Sequence, residues 1–202
     1  MTDEELAQLF EYENNLEILA KNSSRDTFDN RDHKHASIVL GKILKYSTSE
    51  FILFDDDLKG DIVNNDQVVS FKSSLIDFIA RGGKIRMVIS HELKEDDEEL
   101  KYFLINLSEL YSSQFQIKLA SIEFKKAMKA EFGEKINFAV GDSKMYRLEK
   151  YGHLSSETRT REAQGSFNDQ GISSSLTQVF NAKYEGCHNY PSSNTLSGIK
   201  SF

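Results

Sequence analysis

The chain has 202 residues, a formal net charge of −7, one proline and one cysteine. No stretch reaches the roughly 18 apolar residues of a membrane-spanning helix, and the acidic N-terminus lacks the basic and apolar segments of a secretory signal. A single cysteine excludes an internal disulfide and a cysteine-based zinc site, so we expect a reducing, cytoplasmic setting. The negative charge weighs against a nucleic-acid partner, and the scarcity of proline predicts long regular elements.

Apolar periodicity predicts helices and strands that alternate along the chain. The predicted helices cover 2–21, 35–46, about 65–81, 95–111 and about 170–185. The predicted strands cover 50–54, 84–90, 115–120, 136–140, 145–149 and 161–167. The remaining segments are predicted to be polar loops at 22–33 and 150–161, and a weak helix at 121–132.

This order of elements predicts the architecture. Strands that alternate with helices pair in parallel through right-handed crossovers, whereas the hairpin at 136–149 adds antiparallel strands. We therefore expect an α/β fold with a mixed, mostly parallel central sheet and helices on both faces. The expected organisation is an N-terminal helix and polar loop over 1–33, one domain over 34–185 and a flexible tail over 186–202.

The carboxyl ends of the parallel strands are one candidate site, because open α/β sheets bind ligands there. The residues expected at this end are acidic or histidine: Asp55, Asp56, Asp57, His91, His33 and His35. They could form a phosphate or metal site, or they could be surface residues at the ends of loops. Zinc needs three or four converging ligands, so the pair of histidines at 33 and 35 predicts no metal, and no cofactor is expected.

Residues 165–168 read GSFN. This segment and the order of elements over 34–185 resemble the phospholipase D superfamily, whose members carry an HxKxxxxD motif followed by GSxN on a neighbouring strand. The resemblance implies a histidine nucleophile, a lysine and an asparagine that bind phosphate, and an aspartate that orients the histidine. It also implies that two such motifs complete a site, often across a dimer. The alternative interpretation of GSFN is a turn before the last helix, with Asn168 or Asp169 as its N-cap.

The HxKxxxxD element fits the sequence in two registers, and neither has a histidine at the nucleophile position. In the first register Asp142, Lys144 and Glu149 take the positions of the histidine, the lysine and the aspartate. In the second, Lys135 and Asn137 take the first two positions and Asp142 keeps the aspartate. We favour the second register, because the family's motif strand ends at its aspartate in a turn, as this segment does.

Arg147 and Glu149 share one face of their predicted strand and could form an ion pair, with Asn168 or Glu162 nearby. One interpretation is a pocket that binds phosphate through Arg147, to which Arg161 could contribute, since arginine suits bidentate phosphate contacts. The other is a fixed polar network that holds the hairpin. The sequence leaves both open.

The resemblance and the missing histidine predict a catalytically degenerate phospholipase D-like domain. We expect it to act as a binding or assembly module in a bacterial or mobile-element (defence-type) system, with a second copy or another protein as partner. The candidate catalytic residues are Asp142, Lys144 and Asn168. The candidate ligand-binding residues are Arg147, Glu149, Ser166, Asn168, Arg161, Asp55, His33 and His35.

Two alternatives stay open. An active phosphodiesterase or nuclease would combine Lys144 and Asn168 with a displaced histidine: His33, His35 or His91. A nucleic-acid-binding module without chemistry would need a basic strip to overcome the net negative charge. The residues available for such a strip are Lys135, Lys144, Arg159, Arg161 and Lys183.

Overall fold

The computed structural model describes residues 2–30, 32–56, 58, 71–93, 97–133, 136–151 and 161–190, with only the backbone of 151, 161 and 162. The helices are α1 (Asp3–Lys21), α2 (His33–Tyr46), α3 (Phe71–Ala80), α4 (Glu98–Leu110), α5 (Ile122–Phe132) and α6 (Gln170–Tyr184). The strands are β1 (Thr27–Asn30), β2 (Glu50–Asp55), β3 (Lys84–Ile89), β4 (Phe115–Leu119), β5 (Ile136–Gly141), β6 (Met145–Tyr151), β7 (Arg161–Ser166) and β8 (His188–Asn189).

The strands form one mixed sheet in the order β1-β7-β6-β5-β2-β3-β4-β8. The predicted mixed α/β fold is therefore confirmed, but its parallel share is smaller than predicted. Among the described strands only β2 with β3 and β3 with β4 are parallel. Parallel pairing requires a crossover connection, which α3 and α4 provide. The other strand pairs are antiparallel, and β5 joins β6 through a tight turn.

Both outer strands lie in segments that were predicted to lack them. β1 occupies the second half of the predicted loop at 22–33 and pairs with β7, while β8 lies in the predicted tail and pairs with β4. These strands have four and two residues, which is too short for a clear periodic signal. β1 alternates between exposed and buried residues, with Phe28 and Asn30 facing inward.

Helices cover both faces of the sheet, as expected. Alternate residues of each strand point to opposite faces, so Leu53 joins a core with α1 to α4, and Phe54 joins a second core with α5 and α6. None of the described helices is long and apolar enough to cross a bilayer.

Local sequence signals explain where several helices begin and end. Thr2 and Glu5 form the predicted capping box of α1. The side chain of Asp32 accepts a hydrogen bond from the backbone of His35 and caps α2 two residues earlier than the apolar pattern suggests. Gly82 follows α3 with a φ of 89°, a conformation that glycine tolerates at a helix C-terminus.

The candidate site depends on the two ends of the strands, which are distinct from the two faces of the sheet. We call the end of the sheet at which β2 and β3 finish the carboxyl side. β1 also ends there, because Asn30 pairs with Ala163, Ala163 with Glu149, and Glu149 with Asn137 at the start of β5. The opposite side, which holds the β5–β6 turn at 142–144, is called the turn side.

Candidate functional site

A row of buried polar side chains crosses the sheet on the carboxyl side. Asn30, Asn137 and Glu149 are each 5% exposed, Asp55 is 4% exposed, and Arg147 from the next row is 5% exposed. The neighbouring Phe54, Phe138 and Leu148 belong to the core under α5 and α6. Strand alternation therefore turns the polar row towards the face covered by α1 and α2.

Arg147 connects polar side chains of this row. Its Nη2 donates to Glu149 Oε2 at 2.9 Å and its Nε donates to Asn30 Oδ1 at 2.6 Å. Asn30 Nδ2 in turn donates to the carbonyl of Asp32 at 2.9 Å, at the start of α2. The structure thus contains the Arg147–Glu149 pair considered from the sequence, with Asn30 as the third member in place of Asn168. Strand parity revealed the pair, but Asn30 lay in a segment read as a loop.

A groove of 640 Å³ lies beside this network, between α1, β1 and the start of α2. The Tyr12 hydroxyl donates to the carbonyl of Asp29 at 2.8 Å, and the Tyr12 ring meets His35 edge-on with centroids 4.3 Å apart. Burial raises the pKa of Tyr12, against a lowering influence of Arg147. Acidic side chains dominate the charged lining, which holds Glu5, Glu11, Asp29, Asp32, Lys34 and His35.

Within that groove, His35 is bound to Asp32. The ring Nδ1 lies 2.8 Å from Asp32 Oδ1. Burial alone would raise the pKa of Asp32, but the backbone and side-chain hydrogen bonds from His35 outweigh it and lower that pKa. His33 is the exposed first residue of α2. The two histidines therefore lie at the carboxyl side, as the direction of α2 predicts.

Asp142 lies on the turn side and holds the start of β2. Its Oδ2 accepts from the backbone of Thr48 at 2.7 Å, and its Oδ1 accepts from the backbones of Ser49 at 2.9 Å and Glu50 at 3.0 Å. The hydroxyls of Thr48 and Ser49 donate to the same carboxylate. Burial opposes the charged form, yet these hydrogen bonds lower the pKa of Asp142 to about 2.

The GSFN segment is also on the turn side. A Cβ on Gly165 would lie 2.5 Å from Cζ of Phe28, so glycine lets the β1 ring pack over β7. The Asn168 side chain donates to the carbonyl of Ser23 at 3.0 Å, and Ser166 Oγ lies 3.4 Å from the carbonyl of Ser24. Asp169 caps α6, as one interpretation of the segment expects.

The structure does not bring all the candidate residues together. Ser166 is three residues beyond Ala163, about 10 Å along β7 at ~3.3 Å per residue, and Asn168 lies farther on. The candidates on the turn side are Asp142, Lys144, Ser166 and Asn168. Those on the carboxyl side are Asp55, His33, His35 and Glu149, whereas Arg147 lies between the two sides, paired with Gly165 and one register position from Ser166. The backbone of Arg161 begins β7 on the carboxyl side, and Asp57, Lys135 and Arg159 lie outside the described residues.

No cluster of three or more histidine, cysteine or acidic side chains suited to a metal ion is present in the described part of the chain. The carboxyl side combines a buried guanidinium network with an acidic groove. On the turn side, the motif-like residues hold backbone segments in place.

No protein-family model matches the sequence, and a search of curated proteins found no match. Solved structures with a similar fold are found, among them the following three. TrmBL2, described as an archaeal chromatin protein with a novel mode of DNA binding, has a TM-score of 0.56 and 15% identity over 93% of this chain. This chain spans 64% of TrmBL2.

The other two structures are matched over nearly their whole length. Nuc from Salmonella typhimurium, a phospholipase D family member, has a TM-score of 0.51 and 10% identity, covering 83% of this chain and 99% of Nuc. NucT from Helicobacter pylori has a TM-score of 0.51 and 10% identity, covering 82% of this chain and 98% of NucT. At such identities the likeness concerns architecture, and it shows that this chain shares the fold of Nuc and NucT.

Proposed function

We propose that this chain is a phospholipase D-like domain that performs no phosphodiester chemistry and acts as a binding or assembly module. The observation that carries the proposal is that the motif-like side chains make hydrogen bonds to the backbone of the chain itself. The carboxylate of Asp142 accepts hydrogen bonds from the backbone N–H groups of 48–50. The side chain of Asn168 donates to the carbonyl of Ser23, in the loop before β1. Neither register of the motif provides a histidine. These contacts support a role for the motif-like side chains in holding the fold together.

An active enzyme with a displaced histidine has less support. A general base must reach its proton directly or through one water. His33 and His35 lie at the start of α2 on the carboxyl side, and His91 follows β3 on that same side. Lys144 and Asn168 lie beyond the opposite ends of the strands.

Hydrolysis of bis(p-nitrophenyl) phosphate tests the proposal. We expect no turnover above buffer by the wild-type chain, by Asn168→Ala or by the control Asn14→Ala, whose position is exposed on α1. A phospholipase D-family nuclease assayed in parallel shows that the assay detects turnover. Wild-type activity that is lost in Asn168→Ala and kept in Asn14→Ala would overturn the proposal.

As partner we propose a second copy of the chain, because the family resemblance implies paired domains. Two large apolar side chains are exposed on α1: Phe10 at 48% and Ile18 at 58%. Light scattering on the purified chain should give twice the 23.1 kDa of one copy, and Phe10→Ser should shift the mass towards the monomer. Ile122→Ser, on α5 and 66% exposed, is the matched control. A monomeric wild-type chain contradicts this partner.

We do not propose nucleic-acid binding, although the neighbour TrmBL2 is a DNA-binding protein. The net charge is −7. Of the residues named for a basic strip, Lys144 lies beside the start of α6, since its carbonyl accepts from the backbone of Asp169. Lys183 lies about 20 Å farther along that helix, at ~1.5 Å per residue.

The proposed bacterial or mobile-element setting rests on the resemblance, and gene neighbourhood tests it.

A further inference from the structure

A second cavity lies where β2 and β3 end, on the face covered by α5 and α6. Its volume is 290 Å³, near the lower end of the range for small-molecule sites, which starts at roughly 300 Å³. Phe54, Met128 and Ile136 form its apolar surface. It is separate from the polar row of Asn30, Glu149 and Asn137, which points to the opposite face of the same sheet.

Ser90 supplies an unused polar group in this cavity. The residue is 6% exposed and lines the cavity directly after β3. Its buried Oγ has no hydrogen-bond partner among the residues that the structure describes. A buried hydroxyl without a partner is costly, so this group points to a ligand atom that accepts its hydrogen.

Two lysines of α5 provide positive charge at the same place. Lys125 Nζ donates to the carbonyl of Ser90 at 2.8 Å, which fixes the ammonium beside the serine. Lys129 also lines the cavity, one helical turn farther along, and residues four apart share a helix face. Asp56 is the acidic member of the lining, and its backbone donates to Asn137 Oδ1 at 2.8 Å. The lining therefore has an excess of one positive charge.

We propose that this cavity binds a small organic oxyanion, with Ser90 Oγ donating to an anionic oxygen and Lys125 and Lys129 balancing the charge. The apolar part of the ligand packs against Phe54 and Met128. Position supports the assignment, because ligands of open α/β sheets bind beyond the carboxyl ends of parallel strands. The site uses none of the motif-like residues, so it stands independently of the proposed absence of catalysis.

Calorimetric titration of the full chain tests the site with phenyl phosphate and benzoate, which separate phosphate ester from carboxylate recognition, and with neutral phenol. We expect saturable binding of at least one anion and none of phenol. Ser90→Ala should weaken the anion roughly tenfold, as expected for loss of one hydrogen bond to a charged group. Lys129→Met should weaken it several-fold and reduce its salt dependence.

Lys126→Met is the matched control, because Lys126 is exposed on the same helix outside the cavity lining and loses the same charge. It should bind like the wild type. Lys129 is also exposed, so its replacement tests the site even if Ser90→Ala fails to fold. Absence of saturable anion binding, or equal weakening in Lys126→Met and Lys129→Met, overturns the proposal. Either result leaves the proposed absence of hydrolysis untouched, because the hydrolysis assay does not test this cavity.

Discussion

Asp142 shows how a single carboxylate can organise the meeting point of two strands. It lies in the left-handed region with a φ of 51°, followed by Ser143 at 53°. Aspartate tolerates this conformation better than most residues with a side chain. The turn directs the carboxylate towards the start of β2. The same residue therefore closes the β5–β6 hairpin and accepts hydrogen bonds from the backbone N–H groups of 48–50.

Asp142→Asn should lower the free energy of unfolding at pH 7 by about 1–2 kcal/mol, because the amide is a weaker acceptor than the charged carboxylate. The pKa of Asp142 is lowered from 3.8 to about 2. A lowered folded-state pKa contributes stability above the unfolded value, and that contribution is lost as the pH falls through the folded value. Urea denaturation of both chains should therefore differ at pH 7 and converge as the pH falls from about 4 to about 2.

Asp77→Asn is the control for this change, since Asp77 is exposed on α3. It should leave the free energy of unfolding within about 0.5 kcal/mol of wild type. A difference between wild type and Asp142→Asn that stays constant down to pH 2 would show that the hydrogen bonds do not depend on the ionised carboxylate.

At the scale of elements, the centre of the fold could be predicted from the sequence. β2 and β3 are apolar runs buried on both faces, and the glycine after α3 marks the end of that helix. The tight turn at 142–144 indicated the β5–β6 hairpin. These signals are local: each lies within one element or its cap, so no knowledge of distant partners was needed.

The edges of the sheet could not be predicted in this way. β1 and β8 are short and exist because β7 and β4 offer unpaired backbone to them. The role of Gly165 likewise depends on Phe28, which is distant in sequence. A four-residue strand with one aromatic side chain is indistinguishable from a loop until its partner strand is known.

In the candidate sites, too, the local contacts could be predicted and the contacts between distant residues could not. The spacing of Arg147 and Glu149 on one strand revealed their pairing, because strand parity is local. Asn30, by contrast, is 117 residues from Arg147. Ser90 carries no sequence signal, since an unpartnered hydroxyl is recognisable only when its surroundings are folded.

At the scale of the whole molecule, charged contacts attach α1 to α2. Lys42 on α2 is 5% exposed, and its Nζ lies 2.9 Å from Glu13 Oε1 and 2.7 Å from Glu17 Oε2 on α1. Burial opposes the charged form of Glu17, but hydrogen bonds from Lys42, Lys45 and Tyr46 outweigh it and lower its pKa to about 2. The N-terminal helix is therefore bound to the rest of the chain by polar contacts as well as by its apolar face.

Asn30 makes the corresponding connection for β1. Its side chain accepts a hydrogen bond from Arg147 in β6, two strands away, and donates one to the carbonyl of Asp32 at the start of α2. It thereby links the edge of the sheet, its middle and a covering helix. Its loss would leave a buried guanidinium with one partner fewer, and a buried polar group without its partner costs more than the net gain from a typical hydrogen bond.

Asn30→Ala should therefore lower the free energy of unfolding by about 1–3 kcal/mol in urea denaturation. Asn14→Ala, the exposed control on α1, should stay within about 0.5 kcal/mol of wild type. Equal stability of the two variants would mean that Arg147 finds another partner when Asn30 is absent. The expected difference would instead show that the contact between β1 and Arg147 contributes to the stability of the sheet.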